Sequence, residues 1–147
     1  MEMFVRRLRA GWGDVDFNAH MRNTAYLDKS ADVRMMFFSE NGFSMAEFVR
    51  LRIGPVVMKD EIEYFKEVGL LEEVDVGLAL AGLSDDGSRF RLRNEFLRTD
   101  GKLCARVTSL GGWLDLVARR LVSPPEKLLA VLKTLPRTED FEVLGRV

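Results

Sequence analysis

The stretch Trp12-Gly13-Asp14-Val15-Asp16-Phe17-Asn18-Ala19-His20-Met21-Arg22-Asn23 stands directly before the strongest helical pattern in the chain. It holds the single histidine, His20, with carboxylates at 14 and 16 and carboxamides at 18 and 23. Acid–base chemistry near neutral pH recruits His, Asp or Glu, so any such chemistry that uses a histidine here uses His20. Polar groups crowded at a strand-to-helix turn suit an active site. They also suit an ordinary helix start, where short polar side chains satisfy turn amides.

Downstream, Leu27, Ala31, Met35 and Phe38 recur at three- to four-residue spacing, and Val33 and Phe37 widen the stripe. This predicts a helix from Thr24 to about Glu40, capped near Asn23 or Thr24, stopped at Asn41-Gly42 and wrapped by other structure. Everything after Ile53 reads as strands. Val56 to Lys66 is a long extended run, and Val74, Val76, Leu78 and Leu80 alternate with smaller or polar residues. Asp86-Gly87 and Asp100-Gly101 mark two tight hairpins.

A two-residue loop at Asp100-Gly101 sets a register in which Thr99 faces Lys102. The pairs then run back to Phe96/Ala105, Asn94/Val107 and Leu92/Ser109 on one face, with Glu95/Arg106 and Arg93/Thr108 on the other. One face is apolar and the other charged, as in a sheet covered on one side. Asn94, the odd polar group on the inner face, reads as a hydrogen-bonded core amide, and Glu95/Arg106 as a solvated cross-strand pair. Gly111-Gly112 suggests a bulge or a close backbone approach that interrupts the last strand. Pro124-Pro125 opens a short helix through about Lys133. The order is one strand, one long helix, about four antiparallel strands and a small helix: an α+β chain of one domain spanning 1–147.

Composition narrows the function. With 22 Lys and Arg against 23 Asp and Glu, the net charge near −1 leaves no electrostatic footprint for nucleic acid. One cysteine, Cys104, makes no internal disulfide and suits a reducing, cytoplasmic setting. Neither a secretory leader nor an apolar run long enough to span a membrane is expected. Zinc sites draw on several Cys and His ligands, and nucleotide loops and nucleophile elbows are missing from the sequence. Neither a metal nor a cofactor is expected.

The element order and the run Asp14-Val-Asp16-Phe-Asn18-Ala-His20-Met-Arg-Asn23-Thr-Ala-Tyr26-Leu27 resemble the hotdog-fold acyl-CoA thioesterases. The likeness is to the 4-hydroxybenzoyl-CoA thioesterase-like branch, whose pattern reads Asp-x-Asp-x-x-Gly-His-Val-Asn-Asn-x-x-Tyr-Leu. It extends to Gly54-Pro55-Val56-Val57 at the second strand, Asp100 to Ala105 at a late hairpin, and Asp115 to Pro124 at a closing strand. The sequence departs from the pattern at Ala19, where glycine is usual, at Met21-Arg22, and at Glu72-Glu73. Ala19 bears on the turn, because glycine there permits positive φ.

The resemblance implies an antiparallel sheet wrapped around a central helix, and hydrolysis of an acyl-CoA or acyl-carrier-protein thioester. It makes Asp16 the catalytic carboxylate, as base or nucleophile, and Asn23 the residue whose backbone amide polarises the carbonyl. Asn18 and His20 match the spacing of a polar network at the same turn, with Asn18 as orienter and His20 as catalytic partner or structural hydrogen-bonding group. Asp14 reads as a turn residue and Tyr26 as packing. The family assembles as homodimers or homotetramers, and a second subunit would desolvate the carboxylate. Two other classes stand as alternatives. One is a hotdog enoyl-CoA hydratase, whose Asp and His stand one residue further apart, and the other a non-catalytic acyl-thioester-binding protein.

Overall fold

In a computed structural model, which describes residues 3–147, a seven-stranded sheet receives one long helix. Strand β1 (Phe4–Arg9) leads through a 3₁₀ turn at Trp12–Asp14 into α1 (Asn23–Glu40), followed by α2 (Met45–Leu51). Then come β2 (Ile53–Tyr64), β3 (Glu73–Ser84), β4 (Arg89–Arg98), β5 (Leu103–Asp115), β6 (Arg120–Val122), α3 (Glu126–Leu132) and β7 (Arg137–Leu144). The order across the sheet is β1-β3-β4-β5-β2, with β6 pairing β5 and β7 running parallel to β3. Every pairing but β3/β7 is antiparallel, and the hotdog architecture expected from the sequence is present. None of the described helices is long and apolar enough to cross a membrane.

The helix buries a face centred on Tyr26, Ser30, Val33, Phe37 and Phe38, the i, i+4, i+7, i+11 spacing of one helix face. The sequence stripe through Leu27, Ala31 and Met35 is only half-buried. It forms the flank of the helix, beside the fully buried face that the sheet wraps. Phe38 and Phe90 pack on the ring of Trp113, whose indole N–H donates to the Gly87 carbonyl at 3.1 Å.

The register of β4 against β5 is the one expected for Phe96/Ala105, Asn94/Val107, Leu92/Ser109, Glu95/Arg106 and Arg93/Thr108. Nearer the turn it differs. Leu97 faces Leu103, Arg98 N donates to Lys102 O at 2.9 Å, and Gly101 takes φ +85°. The loop is therefore three residues, Thr99 to Gly101, not two. Cys104 is the extra residue that restores the phase, so Cys104 and Ala105 are both buried. At Gly111-Gly112 the strand is not interrupted. The bulge is at Met58 on β2, and a Cβ at Gly111 would meet the Val56 carbonyl and the Phe90 ring, which is the close approach the glycine pair suggests.

Three elements lie outside the sequence reading. Helix α2 is capped by Ser44, whose Oγ accepts the Glu47 amide at 3.2 Å, and the Ser44-x-x-Glu47 spacing is a signature that would have revealed it. The closing strand is split by a turn in which Asp115 Oδ1 accepts the Val117 and Ala118 amides, giving β6. Strand β7 covers the far side of β3 through weak alternation in Thr138 to Val143.

Candidate active site

The site is built by the loop of residues 15–22, which α1 closes. Its backbone folds on itself: Asp16 N donates to His20 O and Ala19 N to Asp16 O, both at 2.9 Å. Met21 N reaches Val68 O at 2.7 Å and Leu70 N reaches Ala19 O at 3.2 Å, lacing the loop to the segment before β3. Ala19 adopts φ +62°, the left-handed conformation for which glycine is the usual residue.

Asp14 anchors the base of the turn. Its Oδ2 accepts the Gly11 amide at 2.8 Å and meets Lys29 Nζ of α1 at 3.0 Å. Partial burial raises the carboxyl pKa, but the Gly11 amide and the Lys29 ammonium outweigh it, leaving it below the ordinary carboxylate value. Asp14 is a structural carboxylate holding helix to loop.

Asp16 is exposed, and its Oδ1 accepts the amides of Asn18 at 2.9 Å and His20 at 3.3 Å. Its Oδ2 accepts nothing from the described residues. The carboxylate is thus oriented through one oxygen and open at the other. Asn18 is exposed beside it, as is the ring of Phe17, 98% exposed. The His20 ring makes no hydrogen bond to Asp16; its Nε2 lies 3.1 Å from Glu67 Oε2. Glu67, ahead of β3, is the site neighbour sequence reasoning missed, because only the His20↔Gly69 bridge brings the two segments together.

Arg22 caps α1 without a side-chain cap bond. The first amides to find an acceptor are those of Ala25 and Tyr26, both on Arg22 O. The amides of Asn23 and Thr24 therefore have no acceptor among the described residues, and the positive end of the helix dipole lies just beyond Asp16 in the chain. Tyr26 is buried edge-on against Phe96 and Tyr64. Burial pushes its hydroxyl pKa up to about 12, which suits packing. Among the described residues no group of three or more His, Cys, Asp or Glu is placed to hold a metal.

The model of the thioesterase-like superfamily matches residues 10–132, nearly all of the elements just described. The chain belongs to this superfamily. As a member it is a thioesterase-like enzyme of hotdog fold. No functionally curated protein matches it in sequence. Among solved structures, a Staphylococcus aureus protein in complex with CoA is similar at TM-score 0.81 and 22% identity, over 92% of this chain and 87% of its own. A 1,4-dihydroxy-2-naphthoyl-CoA thioesterase from Synechocystis is similar at 0.79 and 14%, over 90% and 96%. A gentisyl-coenzyme A thioesterase gives 0.75 and 18%, over 86% and 98%. At such identities these are likenesses of fold.

Proposed function

We propose that this hotdog enzyme hydrolyses an acyl-CoA thioester to the free acid and the thiol, with Asp16 as base or nucleophile. The observation that carries the reading is the Asp16 carboxylate itself. One oxygen is fixed by two backbone amides and the other is free, in the loop whose next element is a helix with unpaired leading amides. A thioester carbonyl placed at the Asn23 amide would develop its negative charge against a donor and a helix dipole, and loss of such a donor typically lowers the rate by ~10²–10³. The free Asp16 oxygen then either takes a proton from a water that adds to the carbonyl and expels the thiolate, or attacks the carbonyl itself, expelling the thiolate and leaving a mixed anhydride that water cleaves. Either route leaves carboxylic acid and thiol.

Asn18 orients the loop beside the carboxylate. His20 acts through Glu67, holding the loop against the segment before β3, and is a positioning residue in this scheme. The relatives named as CoA thioesterases, and the one solved with CoA, favour coenzyme A over a carrier protein as the thiol. A homodimer or larger homo-oligomer would close the exposed carboxylate from water.

The test is a hydrolysis screen of acyl-CoA and aryl-CoA esters, with the same acyl groups on a carrier protein as the second arm, on the wild type and Asp16→Asn. The asparagine keeps an acceptor oxygen for the Asn18 and His20 amides and removes the charge. Turnover should fall at least ~10²-fold with folding unchanged. A variant keeping more than half of wild-type turnover overturns the assignment.

A further inference from the structure

The face of the sheet that receives α1 is interrupted by one polar cluster. Asn94 on β4 and Ser109 on β5 are fully buried there. Arg34 of α1 donates its Nη1 to Asn94 Oδ1 at 3.3 Å and to Ser109 Oγ at 3.2 Å. Ser109 Oγ donates in turn to Asp60 Oδ1 at 2.5 Å, and Asn94 Nδ2 to the Gly77 carbonyl at 3.1 Å. Asp60 is therefore reached only through the serine, and no carboxylate of the described residues lies within ion-pair distance of the guanidinium. Burial pulls the Arg34 pKa down, with Asp60 acting the other way.

A cavity of about 180 Å³ adjoins this cluster, walled by Ala31, Met35, Phe38, Val57 and Phe90, with Arg34 its one charged lining residue. It lies between α1 and the strands β2 and β4, with Pro55 and Leu92 completing its lining. An apolar cavity of ~150 Å³ holds a benzene ring, so this one has room for a ring or a short run of methylenes. The half-buried flank of α1, Leu27, Ala31 and Met35, leads to it from the first turns of the helix.

Arg34 still has Nε and Nη2 without an acceptor among the described residues. A guanidinium with a free donor edge in an apolar wall matches a carboxylate, which takes two parallel N–H bonds. We infer that this cavity receives the acyl tail and selects acyl groups bearing a carboxylate at the end remote from the thioester, Arg34 being the specificity-determining residue. The inference rests on the thioesterase reading for its substrate, and on the cavity alone for its ligand chemistry. Arg34 follows Asn23 by eleven positions, about 16 Å along a helix axis, and helix side chains lean back towards the N-terminus. An acyl chain on the order of ten bonds, at ~1.2 Å of extension each, reaches about 12 Å, and the backward lean of the long Arg34 side chain covers the remainder.

The experiment compares kcat/KM for suberoyl- and sebacoyl-CoA with that for octanoyl- and decanoyl-CoA. The carboxyl-ended esters should be favoured ~10-fold or more, the scale of a charged hydrogen-bonded contact. The ratio should fall to about one in Arg34→Met and be partly kept in Arg34→Lys. In parallel, octanoate should bind at least ~10-fold more tightly than octanamide by calorimetry in the wild type, and not in Arg34→Met. A wild-type ratio near one, or a ratio that Arg34→Met leaves unmoved while weakening subunit association, overturns the inference. Should Arg34→Met not fold, the wild-type ratio and Arg34→Lys decide. Were no thioester hydrolysed at all, the proposed function would fall, and equal binding of octanoate and octanamide would then overturn the cavity assignment separately.

Discussion

Ala19 holds a left-handed conformation with a Cβ, at the residue whose amide and carbonyl both anchor the site loop. An L-residue there is strained by ~1–2 kcal/mol, and glycine would relieve this while losing ~0.5–1 kcal/mol of backbone entropy. Ala19→Gly should therefore raise stability by about 0.5–1 kcal/mol in chemical denaturation, and an unchanged or lower stability would contradict the strain. His20 offers a sharper separation of roles. Its ring meets Glu67 and not Asp16, so His20→Gln should loosen the loop yet keep the pH profile of turnover in shape. A histidine limb lost from that profile would return His20 to the chemistry. The four candidate residues named from sequence, Asp16, Asn18, His20 and Asn23, could be grouped because they lie within one loop and one helix start. Glu67 could not be, nor could Arg34 and Asp60 be joined to Asn94 and Ser109, since these residues come from different elements and only the packing of α1 on the sheet and the pairing of β2 with β5 bring them together.

At the scale of elements, the alternation of β4 and β5 was readable because one face is apolar and the other charged, and slipping one residue would exchange them. The turn was misread by one residue because a three-residue loop and a bulge at Cys104 cancel in phase and leave the outer pattern intact. Strand β7 was invisible for another reason: it brings only Phe141 to the core, and besides its ladder with β3 it is tied down by Arg93 paired to Asp140 at 2.8 and 3.0 Å and Arg91 to Glu142 at 3.3 Å. The Arg93 pairing holds the Asp140 pKa far below the usual carboxylate range. Since the unfolded value is about 3.9, this contribution is complete above that pH and fades as pH falls towards the folded value. Solvent screening keeps it small for a pair this exposed. Hydrogen exchange, corrected for intrinsic rates, should show β7 losing protection as pH falls below about 4, before β3, β4 or β5 do. Gly111→Ala tests the centre of the sheet, where the added Cβ would meet the Val56 carbonyl and lie 2.8 Å from the Phe90 ring. Strand β2 must shift to admit it, so stability should drop by ~1–3 kcal/mol by denaturant titration.

For the whole molecule, open strand edge and exposed apolar groups occur on β2, on the site loop and along the flank of α1. Strand β2 ends the sheet with only β5 beside it, and Val57, Met58, Tyr64 and Phe65 on and after it are exposed. Trp12 and Phe17 are exposed around the loop that carries Asp16, and the flank of α1 through Leu27, Ala31 and Met35 is half open. A free strand edge is a template for pairing, and contiguous exposed apolar groups mark an association surface. A two-fold pairing of β2 with the same strand of a second copy would continue the sheet and bury both edges at once. It would also bring a neighbouring subunit towards the exposed carboxylate, supplying the desolvation that makes Asp16 a stronger base. Two consequences are measurable. Specific activity should fall on dilution in step with dissociation followed by light scattering. In subunit-exchange experiments, mixed dimers of wild-type and Asp16→Asn chains should keep about half the activity, because each site takes its carboxylate from one chain and its cover from the other. A fully active monomer at high dilution would defeat the shared site and leave Asp16 to work in the open loop.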